Sequence, residues 1–172
     1  MKRMALALTV ALVATIVLAG ARVASADVND SWITTKAKIA LITSDGFSVN
    51  GANVDTIDGN VTIHGKVATS EDRTRAEQTV RKVKGVKTVN NLLQVVPSDV
   101  KELVAANDSD IKERVEASLK ADSKMKDVKV ASVNNGVVLL SGKSESLTEE
   151  LRAIENAYSV KGVRRVASEI QS

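Results

Sequence analysis

The chemistry open to this chain is limited by its rarest side chains: 172 residues include one histidine, one tryptophan and no cysteine. His64 is the natural starting point for acid–base or metal chemistry. A metal site built on it needs three or four ligands, and no second histidine or cysteine exists to supply them. It lies on the polar side of an alternating segment, so the simplest expectation is a solvated surface histidine. Serines and aspartates are plentiful, but none has the spacing of a nucleophile elbow or a phosphate loop. The expectation is a non-enzyme with no catalytic, cofactor-binding or metal residues.

What remains is non-covalent contact. Arg81, Lys82, Lys84 and Lys87 crowd together, as do Lys161, Arg164 and Arg165 later in the chain. Cations near the C-terminal end of a helix oppose its macrodipole favourably by ~0.3–1 kcal/mol each, which already explains them structurally. The functional alternative is attraction to anionic lipid headgroups, worth ~1 kcal/mol per basic residue close to the surface. Glu71, Asp72 and Glu77, nearby in sequence, temper that attraction. Trp32 shares a helical stripe with Lys36 and Ile39 beside the main apolar face. Packing against the connecting segment or the neighbouring domain is the simpler expectation. An interfacial anchor or partner contact is the alternative, because tryptophan suits such places.

The elements that hold these residues begin after a leader. Lys2 and Arg3, an uncharged apolar stretch from Ala5 to Ala19, and the small residues Ala24-Ser25-Ala26 give residues 1–26 the pattern of a signal peptide cleaved after Ala26. The stretch is short of the ~20 apolar residues that span a bilayer, so no transmembrane anchor is expected after cleavage. Lipid anchoring at a new N-terminal cysteine is ruled out by composition. Periplasmic residence as a monomer is the resulting expectation. Cleavage removes Lys2, Arg3 and Arg22, and no acid, from 24 basic and 21 acidic residues, leaving a mature chain of zero net charge. The +3 of the precursor is therefore no argument for a nucleic-acid partner.

Laid on itself with a shift of about 77 residues, the chain repeats. Gly59 falls on Gly136, Val61 on Val138, Ile63 on Leu140, Gly65 on Gly142, and Val83-Lys84-Gly85-Val86 on Val160-Lys161-Gly162-Val163. Upstream the offset grows by one, which reads as an extra loop residue in the first copy. Each copy opens with a helix, Ile33-Ala37-Leu41 or Ile111-Val115-Leu119, with Asp30-Ser31 or Asp108-Ser109 as its expected N-cap. Asp58-Gly59 and Asn135-Gly136 mark tight hairpins, and Gly65 and Gly142 end or bulge the outgoing strands. The second helices open at Thr69-Ser70-Glu71-Asp72 and at Ser146 with Glu149, both capping-box patterns, and stop at Gly85 and Gly162. A third strand then runs parallel to the second. The predicted fold class is α+β: two tandem αββαβ domains, each a three-stranded mixed sheet with two helices on one face. Residues 29–97 and 106–172 form the domains, and 98–105 form a semi-ordered linker.

The segments Asp-Ser-Trp-Ile-Thr-Thr-Lys-Ala-Lys, Gly-Asn-Val-Thr-Ile-His-Gly-Lys-Val and Val-Lys-Gly-Val-Lys-Thr-Val-Asn-Asn-Leu, with their second copies, give the mature chain a sequence that resembles the BON domain, twice. The glycines and valines that carry the resemblance are fold markers, not reactive groups. It implies an envelope protein of the osmotic and stress response whose partners are an anionic phospholipid surface or, alternatively, unfolded envelope proteins held in an ATP-independent, chaperone-like manner. The candidate contact residues are Arg81, Lys82, Lys84, Lys87 and Trp32.

Overall fold

The computed structural model describes residues 23–44 and 51–171. Residues 1–22 of the expected leader lie outside them, and the expected cleavage bond after Ala26 falls inside the first helix. The first repeat contains α1 (Val23–Thr43), β1 (Ala52–Ile57), β2 (Asn60–Val67), α2 (Ser70–Arg81), β3 (Thr88–Asn91) and β4 (Gln94–Val95). The second contains α3 (Lys101–Lys120), β5 (Val128–Asn134), β6 (Val137–Lys143), α4 (Leu147–Tyr158) and β7 (Arg165–Gln171). In each, the central strand pairs antiparallel with its hairpin partner and parallel with the strand residues beyond the second helix. This is the α+β, αββαβ arrangement expected from the sequence, present twice.

Helical and strand periodicities meet in two separate cores. Ile33, Ala37 and Leu41 of α1 and Ala76 and Val80 of α2 pack on Val54, Val61, Ile63 and Leu93. Ile111, Val115 and Leu119 of α3 and Ala153 and Ala157 of α4 pack on Val130, Val138, Leu140 and Ile170. Thr69 and Ser146 cap α2 and α4 by accepting from the backbone N–H of Asp72 and Glu149, as the capping-box pattern predicts. Both central residues of each hairpin turn have positive φ, 52° and 78° at Asp58-Gly59 and 48° and 74° at Asn135-Gly136, which matches the twist of the flanking strands.

Several local expectations give way to longer-range contacts. Gly65 and Gly142 do not end their strands; β2 and β6 run past them. They adopt φ of 129° and 120° where the neighbouring chain crosses so closely that a Cβ would sit 1.7 Å from the Gly51 carbonyl oxygen and 2.0 Å from that of Asp127. The helices stop earlier than Gly85 and Gly162, at Arg81 and Tyr158. Those two glycines lie in the next turn, where a Cβ would press on the Ile33 or Ile111 side chain. The sequence offset is not a loop difference alone, because the second copy carries an extra residue, Ala131, as a bulge between Val130 and Ser132. The last strand of the first domain breaks after Asn91, whose side-chain oxygen accepts from Leu93 N–H at 3.2 Å.

Asp30 and Asp108 are not N-caps. Both lie well inside their helices, which begin at Val23 and Lys101. Residues 98–105, expected as a semi-ordered linker, form a 3₁₀ turn over Ser98–Val100 and the opening of α3. With only Val96 and Pro97 between β4 and that turn, the two domains are joined by a short, structured connection.

The helix-free faces of the two sheets pack together. Strand alternation turns Val61 and Ile63 toward the helices and Thr62 and His64 away, and in the second domain Val138 and Leu140 toward and Val137 and Leu139 away. Thr62, His64, Leu92, Val137 and Leu139 are buried although none belongs to either core. The cover comes from the opposite domain: the Thr62 hydroxyl bonds the Glu169 carboxylate, and Asp55, Thr56 and Ile57 share a cavity with Ala131, Ser141 and Glu169. Burying a leucine fully is worth ~1.5–3 kcal/mol, so Leu92 and Leu139 alone give the docked pair a substantial apolar contribution.

Candidate functional site

Three groupings of polar side chains arise from this fold. The first is an aspartate clamp at one end of each domain. Asp30 of α1 accepts from the backbone N–H of Asp58 at 2.6 Å and of Gly59 at 2.9 Å, and Asp108 of α3 accepts from Asn135 at 2.8 Å and Gly136 at 2.9 Å. A tight hairpin turn leaves those two amides without ladder partners, and a helical carboxylate supplies both. Asp108 is itself buried and also pairs with Lys66 of the first domain at 2.7 Å, so its clamp includes a contact across the domain boundary. The clamps tie helix to hairpin and are structural.

The second grouping lies between the sheets. His64, expected on a solvated face, is only 6% exposed because the second domain covers that face. Its Nε2 is 2.8 Å from the Asp55 carboxylate, while its Nδ1 is buried without a hydrogen-bond partner. The hydrogen bond to His64 holds the Asp55 carboxyl below the usual carboxylate range, against the opposing effect of burial, with the His64 and Lys38 charges helping. Glu169, across the interface, goes the other way. Its burial pushes the carboxyl up, the Thr62 hydrogen bond partly offsets this, and the nearby Asp55 charge adds to the rise. Among the described residues no group of three or more histidine, cysteine, aspartate or glutamate side chains is arranged to hold a metal ion. The cluster has the character of a satisfied inter-domain contact with one orphan nitrogen.

The third grouping holds the sequence candidates. Trp32 is 58% exposed, more open to water than a residue packed between domains would be. The Lys36 ammonium sits 5.1 Å from its ring centre, one helical turn on, in cation–π range. Lys82 ends α2, Lys84 lies in the turn that brings Gly85 onto Ile33 of α1, and the stem of Lys87 lies beside the hairpin turn at Gly59. All three are exposed and make no ion pair among the described residues. Arg81 is different: its guanidinium is held by Glu77 at 2.6 Å, which together with Asn91 lowers the Glu77 carboxyl. The structure thus pairs Trp32 with Lys36 on α1, sets Lys84 and Lys87 in the segment that meets Ile33 and the Gly59 turn, and leaves Arg81 engaged within its own helix. The corresponding end of the second domain forms a cavity of about 420 Å³ lined by Ile111, Arg114, Lys161 and Arg164 among others. There Arg114 is tied to Asp110, which stands in the place of Trp32.

Sequence reasoning missed Asp55, Lys66 and Glu169. No local pattern marks them, since each meets its partner only when strands or domains come together. Asp30 and Asp108 are visible in the sequence, but their partners are not; an aspartate recurring at nearly equal distance before an Asp-Gly or Asn-Gly pair is the available signal.

Comparison with known proteins respects the same two-fold division. A family described as the BON domain matches residues 29–97 and again 107–172. The chain is 32% identical over 149 residues to the osmotically-inducible protein Y of Escherichia coli (strain K12), covering 84% of this chain and 73% of that protein. Among solved structures it is similar to the C-terminal domain of CdsD, a structural protein of the type III secretion system of Chlamydia trachomatis, with a TM-score of 0.34 and 16% identity over 82% of this chain and 65% of that one. A second CdsD structure gives a TM-score of 0.33 and 12% identity over 79% of this chain and 90% of that one. Backbone likeness at this level says nothing of activity.

Proposed function

The chain belongs to the BON-domain family, with the domain present twice, and from that premise we propose that it is a periplasmic protein of the osmotic-stress response that binds anionic phospholipid surfaces reversibly and without chemistry of its own. Its similarity to an osmotically inducible protein supports the stress assignment. The leader pattern of residues 1–26 supports export. No described helix is long and apolar enough to cross a membrane, which fits attachment from the side.

The observation that carries the lipid reading is the clamp end of the first domain. An exposed tryptophan with a lysine over its ring lies on the helix that carries the clamp, and lysines that no acid neutralises among the described residues lie in the turn after α2 and against the hairpin at Gly59. Tryptophan favours the headgroup level of a membrane, where its apolar body and polar N–H are both served. Lys82, Lys84 and Lys87 each add ~1 kcal/mol near an anionic surface and nothing near a neutral one. Arg81, already neutralised by Glu77, adds less.

Flotation of the chain from Asp27 to Ser172 with liposomes of graded anionic content tests this. Binding should rise with anionic lipid, fall between low and moderate salt, and drop at least about ten-fold when Lys82, Lys84 and Lys87 are all replaced by glutamate. Flotation that is absent at every composition, or indifferent to the triple replacement, sinks the reading. A second reading, ATP-independent holding of unfolded envelope proteins, draws on the exposed Leu147, Leu151 and Tyr158 of α4. Suppression of a model client's aggregation that is lost on Leu151→Asp would favour it.

A further inference from the structure

The apolar stripe on α4 is left unused by the lipid contact of the first domain, and the one cation on that helix, Arg152, is already held by Asp122. Leu147, Leu151 and Tyr158 are each more than half exposed, and they recur at helical spacing with Glu155 between the last two. Glu155 makes no ion pair among the described residues. On α1 a second stripe has the opposite charge. Trp32, Ile39 and Ile42 are each more than half exposed, and Lys36 lies between the first two without an acidic partner among the described residues. The helices that correspond to these in the repeat carry mostly polar or small residues in the same places, so neither stripe is a requirement of the fold.

We propose that α4 of one copy docks on α1 of another, side by side and antiparallel. Run in opposite directions, the stripes match position for position: Trp32 meets Tyr158, Lys36 meets Glu155, Ile39 meets Leu151 and Ile42 meets Leu147. The aromatic pair and the aliphatic pairs remove apolar surface from water, and the one charged pair at the second position fixes direction and register. A parallel alignment, or pairing of α4 with a second α4, sets Glu155 against an apolar side chain or another carboxylate.

Because the two stripes belong to different domains, the contact is head-to-tail, and each added copy leaves one stripe of each kind free. Association therefore produces a series of species rather than a closed dimer. Two helix faces of about three turns bury less than the ~1,200 Å² of a standard stable interface, so the association is weak and shows only at high protein concentration. Membrane binding through Trp32 competes with it, which makes the two states of the protein alternatives.

Sedimentation velocity of the Asp27–Ser172 chain without lipid, from about 10 µM to about 1 mM, reads the association directly. The proposal expects a weight-average coefficient that climbs with concentration and a climb abolished by Leu151→Asp, with the thermal melt at low concentration unchanged as proof of folding. Lys36→Glu and Glu155→Lys should each weaken association about five-fold, the size of an exposed charge contact, and the double exchange should restore it. A single monomeric species throughout, single exchanges without effect, or a double exchange no better than either single one would overturn it. A chain that stays monomeric but loses liposome flotation on Leu151→Asp assigns the stripe to lipid instead and likewise overturns it. The lipid reading stands or falls separately on flotation of the lysine variants.

Discussion

In the first domain α1 presents Trp32, Ile39 and Ile42 to water and α2 presents Ser70, Thr74 and Arg81; in the second, α3 presents Asp110, Ala117 and Lys120 in the corresponding places and α4 presents Leu147, Leu151 and Tyr158. The sheet faces diverge in the same way. Thr62, His64 and Leu92 on one side of the domain boundary correspond in the repeat to Leu139, Ser141 and Glu169 on the other. Toward their own helices, by contrast, the two sheets keep Val61 and Ile63 against Val138 and Leu140. One backbone has thus been held by its core and its two close-crossing glycines, while the surfaces that meet something else have been free to specialise.

The largest test of that shared backbone is Gly65→Ala against Gly142→Ala. Both put a Cβ into a carbonyl oxygen at a positive φ, so each should cost roughly 3–5 kcal/mol, read by denaturant unfolding. A cost confined to one domain would break the equivalence. Next are the clamps. Asp108→Ala leaves two turn amides unpaired and strands the Lys66 ammonium, for an expected loss of about 3 kcal/mol. Asp30→Ala, with no cross-domain partner, should lose about half as much. Equal losses would show that the cross-domain bond contributes nothing.

The smallest effect concerns pH. Glu169 is pushed up by burial, so the folded chain binds its proton before the unfolded chain does. Stability therefore rises as pH falls from neutral through that raised value, and the gain is complete below the unfolded value. Asp55 contributes the reverse: its stabilisation is present above an unfolded value near 3.8 and is lost as pH falls through the depressed folded one. Glu169→Gln should flatten the first slope and raise stability at pH 7 by less than about 1 kcal/mol, given the solvent that reaches the group. Unfolding curves at about pH 7 and pH 5 with an unchanged slope would show that the domain boundary does not feel the charge.

What can be read in the sequence is chemistry that acts over a few residues or repeats at a fixed period. Asp58-Gly59 and Asn135-Gly136 announce their turns, Thr69 and Ser146 their helices, and the matched valines the doubled sheet. Readings that need a distant partner go astray. Asp30 and Asp108 look like caps because an aspartate before an apolar periodicity usually is one, and nothing local reveals that the helices start earlier. His64 looks solvated because alternation says which face a residue takes but not what covers that face. Trp32 looks like a packing residue because size favours burial, yet more than half of it faces water, and it is Asp30, Ser31 and Thr34 of the same helix that border the second domain. Of the candidate contact residues, Arg81 is legible as a cation but not as one already bound by Glu77.

The carboxylate of Asp108, shared between its own hairpin and Lys66, also bears on how far each half of the chain depends on the other. Asp30 takes both its ligands from the first domain, so the half of the chain that is synthesised first holds every partner its clamp needs. The second half reaches its full set only with Lys66 of the first domain beside Asp108 and with Thr62 bonded to Glu169. The dependence is therefore uneven at the clamps, where only the second domain reaches across for a partner, and mutual at the sheets, where each domain covers residues the other leaves open.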